Sequence, residues 1–401
     1  MVQEEKITEQ LLENPFAHLV SEQTITTLEE FELENKTILK KVPVAYKTWG
    51  QLNESKDNVM VICHALTGSA DISDWWGQLL GIGKIFDPSQ YFIFCGNVLG
   101  SPYGTASPCT LNSETNQFYG PEFPNTTIRD DVRLHNTILK QLGVKQVAIC
   151  IGGSLGGMQV LEWAMLGKEY VKAIVAIATC GKHSGWGISW GEAQRQAIYS
   201  DPKYLNGYYP FNDPPKSGLS AARMSALLTY RTRNSFELRF GRKRRENKVE
   251  EKEVFSAQSY LRYQGDKFVN RFDANCYIHL TKKMDTHDLG YNRGEYTETL
   301  KSIEQPSLII GIESDGLFTI SEQYELAQYL PNSEMKQIES IDGHDGFLLE
   351  FEQLSVLIQE FIKQKLPQMK VNKCILEAHQ RQTIVKNSLF GEVEDTDLVE
   401  W

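Results

Sequence analysis

The stretch AICIGGSLGGMQVLEW, residues 148–163, sets one serine among four glycines. Gly152, Ser154 and Gly156 fit G-x-S-x-G, the spacing of a serine on a sharp strand-to-helix turn whose neighbours two positions away have no room for a side chain. Such a turn lifts the serine Oγ clear of the backbone and aims the next N–H, that of Leu155, at a reacting carbonyl. A phosphate cradle would need G-x-G-x-x-G or Gly-Lys-Ser/Thr, and neither spacing occurs here.

A serine hydroxyl is a weak nucleophile that needs a base, and the base needs an acid to orient it. When the nucleophile sits on an elbow of this kind, the acid and then the histidine follow it along the chain. The later histidines are His183, His279, His287, His344 and His379. Of these, His344 alone follows a late strand in a tight turn, SIDGHDGF, ahead of a final helix. Asp315, just past the strand in LIIGIESDGLF, is the expected acid. Glu313 is the weaker alternative, because a place within the strand run would bury it in a sheet. A second oxyanion donor must come from the loop after an early strand, and VICHALTGSA offers the N–H of Leu66 to act with that of Leu155. His64 opens this loop, precedes the nucleophile and is read as a brace.

These groups need a scaffold that brings strand ends together. NVMVICHA (58–65), YFIFCGN (91–97), QVAICIGG (146–153) and VKAIVAIAT (171–179) are almost continuously apolar, as strands buried on both faces are. Residues 126–143 follow helical spacing and end on Gly143. Strand signals return at 306–315 and, more weakly, at 335–340, before an amphipathic stretch at 346–366. Alternation of this kind implies an α/β class with a mostly parallel sheet and helices on both faces. Residues 181–300 lack buried-strand runs and read as an inserted helical cap. The expected organisation is therefore a core at 1–180 and 301–366, a cap or lid at 181–300, and an extension with an acidic tail at 367–401. The run GRKRRENKVEEKE (241–253) mixes both signs and reads as a solvated face.

The net charge of −11 argues against nucleic acid and anionic membrane surfaces as partners. No apolar run approaches the roughly 20 residues that span a bilayer. Seven cysteines without a C-x-x-C pair read as reduced core residues, and the N-terminal MVQEEKITEQ lacks a signal-peptide pattern. A cytoplasmic enzyme with no bound metal or cofactor is expected.

HALTGSA, GNVLGSPYGTASP, TIRDDV, GGSLGGMQVLEWA, GLSAARMSALLTYR, SYLRYQGDKFVNRFDANCY and HDGF together make the chain, from about residue 40 to 365, resemble the homoserine O-acetyltransferase family of α/β-hydrolase-fold acyltransferases, in its fungal form. The charged run and the tail depart from the compact bacterial pattern, and Leu155 replaces the methionine common after the nucleophile. Only the backbone N–H of that residue faces the oxyanion. The resemblance implies ping-pong transfer of an acetyl group from acetyl-CoA to the γ-hydroxyl of L-homoserine, toward methionine. Ser154, His344 and Asp315 would form the triad. Arg223 would fork the substrate α-carboxylate, Tyr230 would share that pocket, and Asp345 would meet the α-ammonium. It also implies a homodimer formed through the helical cap, which would shield the acyl-enzyme from water. Succinyl-CoA as donor, L-serine or another alcohol as acceptor, and a plain esterase are the alternatives.

Overall fold

Residues 14–244 and 255–366 are described in the computed structural model. The tail from 367 onward and residues 245–253 of the charge run lie outside them. Along the chain β1 (Thr24–Glu32) and β2 (Ile38–Trp49) form an antiparallel ribbon, followed by β3 (Val59–Cys63) and β4 (Phe92–Gly96). A small hairpin, β5 (Leu111–Asn112) and β6 (Gln117–Phe118), stands apart from the main sheet. β7 (Val147–Gly153), β8 (Ile174–Ile177), β9 (Ser307–Ile312) and β10 (Ser333–Ile338) complete it, in the order β1-β2-β4-β3-β7-β8-β9-β10. From β4 to β10 every neighbouring pair is parallel, while β2 runs antiparallel to both of its neighbours.

Helices of seven residues or more are numbered in the same way. α1 (Ile128–Gln141) and α2 (Leu155–Ala164) belong to the first part of the sheet unit. Between β8 and β9 come α3 (Gly185–Tyr199), α4 (Lys216–Tyr230), α5 (Arg233–Arg239), α6 (Ser256–Val269) and α7 (Ala274–Asp285). α8 (Ile320–Tyr329) and α9 (Phe351–Lys365) close the described chain.

The continuous apolar strands are explained by burial from two sides. In β3, Val59, Val61 and Cys63 face a core shared with Val132 and Ile138 of α1 and Val160, Leu161 and Trp163 of α2. Met60 and Ile62 face the opposite core, shared with Trp75, Trp76 and with Leu354, Ile358 and Phe361 of α9. Each such aliphatic side chain taken out of water stabilises the sheet by about 1.5–3 kcal/mol. β8 is shorter than the expected 171–179, because Val171 makes only an isolated bridge to Val147. The amphipathic stretch at 346–366 breaks at Glu350, so α9 starts at Phe351. α1 is closed by a capping box between Thr127 and Asp130 and left through Gly143 at φ +84°.

The helices between β8 and β9 pack chiefly on one another, α4 between α3 and α6, and α3 on α7. Their core joins Leu219, Ala222, Phe268 and Tyr277 to Val98, Tyr103 and Cys109 from the loop after β4. Lys283 of α7 pins the same junction. Its Nζ lies 2.8 Å from both carboxylate oxygens of Asp131 in α1 and 2.6 Å from the Leu99 carbonyl. Among the described residues, all six cysteines are buried free thiols and no helix is long and apolar enough to cross a membrane.

Candidate active site

Strand β3 has β4 on one side and β7 on the other, so the connections leaving β3 and β7 diverge at their carboxyl ends and open a crevice there. Ser154 stands at that point, between the last residue of β7 and the first of α2, with φ 58° and ψ −125°. A non-glycine residue held at positive φ costs about 1–3 kcal/mol, and the surrounding contacts must impose it. They do so from three sides. The Ser154 N–H donates to the Ile177 carbonyl at 3.0 Å, its carbonyl accepts from Thr179 Oγ1 at 2.8 Å, and Met158 N–H donates to the same carbonyl at 3.1 Å. A Cβ on Gly156 would stand 2.1 Å from the Cys63 carbonyl oxygen, and one on Gly152 would stand 2.6 Å from Gly156. The two glycines therefore let α2 start directly against the end of β3.

Leu155 is the first residue of α2, and Leu66, in the loop after β3, packs against the cluster that holds Leu155 and Met158. Neither backbone N–H is taken up by a protein acceptor among the described residues. His64 holds the Leu66 loop in place. Its Nε2 accepts from Val98 N–H at 3.2 Å, its Nδ1 meets the Ala65 carbonyl at 2.8 Å, and Gln159 of α2 donates to its own carbonyl. Burial pushes its imidazole down to about 4, so it stays neutral and braces two loops.

Asp315 lies three residues beyond β9. Its Oδ1 accepts from the N–H groups of Leu317 (2.8 Å) and Phe318 (2.9 Å), and its Oδ2 lies 2.6 Å from Nδ1 of His344. A carboxylate only accepts, so Nδ1 carries a proton, which in the neutral imidazole leaves the lone pair on Nε2. Glu313, the alternative acid, was expected to be buried within the strand run. β9 instead ends at Ile312 and leaves Glu313 exposed. Ser154, Asp315 and His344 are 5%, 4% and 3% exposed. The His344 ring is stacked on Phe318, with centroids 5.1 Å apart, and meets Phe347 edge-on at 5.2 Å. Phe347 in turn fills the space beside Gly153, so one ring touches both the histidine and the residue before Ser154. Trp186 of α3 donates from Nε1 to the Gly316 carbonyl at 2.8 Å, which brings the inserted helices to the acid loop.

The three expected substrate residues gather at the same corner. Tyr230, at the end of α4, has its ring 6.0 Å from that of His344. The buried Arg223 guanidinium lies over Tyr230 (5.7 Å) and Phe268 (5.0 Å). Asp345 is buried one residue after His344, and its Oδ2 is 2.6 Å from Nε of Arg231. Sequence reasoning passed over Arg231, Phe318 and Asp342. The signal available for Arg231 was its place directly after Tyr230 in LTYR, and that for Asp342 was the acid–Gly–His–acid order of DGHD. His183, His279 and His287 are buried and none of them pairs with Asp315: the His183 ring lies 5.6 Å from that of Phe318, and His279 bonds Thr126 Oγ1 at 2.8 Å.

A serine on a strained elbow and a histidine oriented by a carboxylate are parts that an acyl-transfer site needs. Comparison with known proteins agrees. The family described as alpha/beta hydrolase fold matches residues 58–351. A homoserine O-acetyltransferase from Saccharomyces pastorianus is 49% identical, with 95% of each chain covered. The solved homoserine O-acetyltransferase of Bacillus anthracis superposes with a TM-score of 0.79 at 24% identity, covering 88% of this chain and 99% of that one. The crystal structure of esterase E22 gives the same TM-score and identity, over 85% and 99%. The two solved structures thus speak for a shared scaffold, which carries an esterase in one case and a transferase in the other.

Proposed function

The chain belongs to the homoserine O-acetyltransferase family of α/β-hydrolase-fold enzymes, and from that premise we propose that it moves an acetyl group from acetyl-CoA to the γ-hydroxyl of L-homoserine by a ping-pong Ser154–His344–Asp315 mechanism. The observation that carries this reading is the 2.6 Å contact from His344 Nδ1 to Asp315 Oδ2, on the same sheet edge as the Ser154 elbow.

In the first half-reaction Ser154 Oγ attacks the thioester carbonyl and passes its proton to His344 Nε2. The oxyanion is met by the N–H groups of Leu66 and Leu155, each worth roughly 3 kcal/mol in the transition state. The C–S bond breaks, CoA leaves with the proton, and Ser154 carries the acetyl group. In the second, the γ-hydroxyl of homoserine attacks that ester, its proton goes to His344, and the proton returns to Ser154 Oγ as O-acetyl-L-homoserine departs. Asp315 keeps the imidazole in one tautomer and stabilises the imidazolium formed in each half. Arg223 takes the α-carboxylate of homoserine, Tyr230 walls the pocket, and Asp345 takes the α-ammonium. This reading places the enzyme in methionine biosynthesis in the cytoplasm, as a homodimer joined through the α3–α7 segment.

The test is to mix the purified full chain with acetyl-CoA and locate the acetyl group by mass spectrometry, then offer acceptors. Acetyl on Ser154 that homoserine discharges faster than serine or water, with acetyl-CoA preferred to succinyl-CoA, is the expected result. A higher kcat/KM with serine or succinyl-CoA would replace the substrate. Equal discharge by water would make the protein an esterase.

A further inference from the structure

An open cleft of about 380 Å³ lies between the β5–β6 hairpin and residues 207–211, with Asp273 and Asn275 at the start of α7 in its wall. Its lining holds five aromatic rings. Phe118 and Phe211 meet edge to face with centroids 4.6 Å apart, and Tyr119, Tyr208 and Tyr209 supply the others. Phe118 is 38% and Tyr208 63% exposed. The wall is rigid where the chain enters, since Asn275 Nδ2 donates to the Gly207 carbonyl at 2.8 Å and Gly207 sits at φ +92° against Pro121.

The charged groups of the lining are two carboxylates, Glu122 and Asp273, and no lysine, arginine or histidine contributes to it. The Tyr208 hydroxyl donates to Glu122, and the Tyr209 hydroxyl donates to Asp273 Oδ2 at 2.6 Å. Both phenol protons are thus taken up by an acid of the same lining. Lys40 and Lys203, on neighbouring segments, are already paired with Glu114 and Asp213. Asp273 lies 4.8 Å or less from Cys109 and Cys276 in its ligating atoms, but both of its oxygens are engaged, one by Tyr209 and the other by the Cys276 N–H that it caps.

Ring faces carry the negative side of the aromatic quadrupole, and a carboxylate in the same lining adds a full charge. An anion would be repelled by this wall, a bare metal ion would find rings where it needs oxygens, and a neutral apolar molecule would gain nothing from the acids. We propose that this cleft is a binding site for an organic cation of the trimethylammonium or sulfonium kind, seated on the aromatic faces with Glu122 as its counter-ion. A cavity of this size accommodates a small molecule. The site is separate from the Ser154 elbow, and its occupancy does not depend on the acyl-transfer reading.

Choline and its neutral isostere 3,3-dimethylbutan-1-ol separate charge recognition from apolar burial in calorimetric titrations of the full chain. Choline is expected to bind at least about tenfold more tightly than the isostere. Glu122→Gln and Tyr208→Ala, both at exposed positions, should each weaken choline about five- to tenfold, with Tm and acetyl transfer unchanged as evidence of intact folding. Equal binding of choline and the isostere, no choline binding, or choline binding untouched by both variants would overturn the proposal.

Discussion

Arg231 and Asp345 form a buried ion pair beside His344, Nε to Oδ2 at 2.6 Å, with side chains 5% and 3% exposed. Through Nη1 the same guanidinium reaches Asp342 at 2.7 Å, so it spans the two acids that flank His344 in the turn. Thr232 and Ser235, at the start of α5, bond the Ile341 carbonyl and Asp342 and tie the turn down further. The α4–α5 corner therefore sets where His344 stands. The carboxylate expected to receive the substrate ammonium already has one cation beside it, and a carboxylate has lone pairs for a second. Arg231→Met would remove the cation from beside buried Asp345 and half-buried Asp342 and should destabilise the fold by about 3–5 kcal/mol. Arg231→Lys would keep the charge but lose the planar fork, and should lower kcat with a smaller loss of Tm. Thermal melts and steady-state kinetics on both variants decide it: an Arg231→Met protein with wild-type Tm and kcat would contradict the clamp.

Arg223 sits one aromatic ring away from His344, with Tyr230 between them. That distance suits a group that holds the far end of an amino-acid acceptor and takes no part in attacking the thioester. Arg223→Ala should raise the homoserine KM by roughly 100-fold, the loss expected for a charge-assisted bidentate contact. Acetylation of Ser154 by acetyl-CoA, followed alone by rapid quench, should stay within about twofold of wild type. Equal damage to both half-reactions would remove its anchoring role.

What could be read from the sequence was what local sterics and burial dictate. β3, β4, β7 and β9 announced themselves because a strand covered on both faces admits almost no polar residue, and Ser154 did so because a side chain at Gly152 or Gly156 would collide with neighbouring backbone. β1 and β2 went unread. β1 buries Ile25, Leu28 and Phe31 and leaves acids exposed between them, a pattern weaker than the runs beside it. The clamp on His344 was illegible for a different reason. Arg231 and Asp342 stand 111 residues apart, and only the packing of α4 against the histidine turn brings them together. Glu313 was misplaced because nothing in IIGIESD marks where the last inter-strand bond falls.

The elbow makes a steric prediction. A methyl group on Gly156 would meet the backbone carbonyl oxygen of Cys63 at 2.1 Å, and neither a Cβ nor a backbone carbonyl can rotate away. Gly156→Ala must push α2 off β3, which should cost about 1–3 kcal/mol of stability and, by shifting the Leu155 N–H and Ser154 Oγ, at least about 100-fold in kcat. Gly185, at the first position of α3, has nothing within 4 Å of its would-be Cβ. Gly185→Ala should therefore stay within about 0.5 kcal/mol of wild type. Paired melts and turnover measurements check both, and near-native turnover by Gly156→Ala would show that the elbow tolerates a side chain.

Acid stability follows from the buried imidazoles. Burial holds His64, His135, His183 and His287 down to about 4 in the folded chain. Unfolded histidine titrates near about 6.5, so between pH 6.5 and about 4 the unfolded state binds more protons and stability falls as pH falls. Each such group amounts to about 3 kcal/mol at full effect. Four carboxyls act in the opposite sense. Burial raises Asp131 to about 6 and Glu322 to about 7, and pushes Asp273 and Asp285 up as well, so the folded state takes up their protons first and gains stability on acidification. His279 is held down by burial as well, the five depressed imidazoles outweigh the raised carboxyls, and the net effect of these groups is a loss on the order of several kcal/mol across that window. Scanning calorimetry should show Tm nearly level from pH 8 to 7 and falling steeply from 6.5 to 4.5. His135, whose Nε2 donates to the Asn97 carbonyl at 3.0 Å, offers the control. His135→Gln can still donate but cannot titrate, so its Tm should fall less steeply with pH. A Tm that stays level down to pH 4.5, or an unchanged slope in His135→Gln, would mean that these histidines are not held neutral by burial.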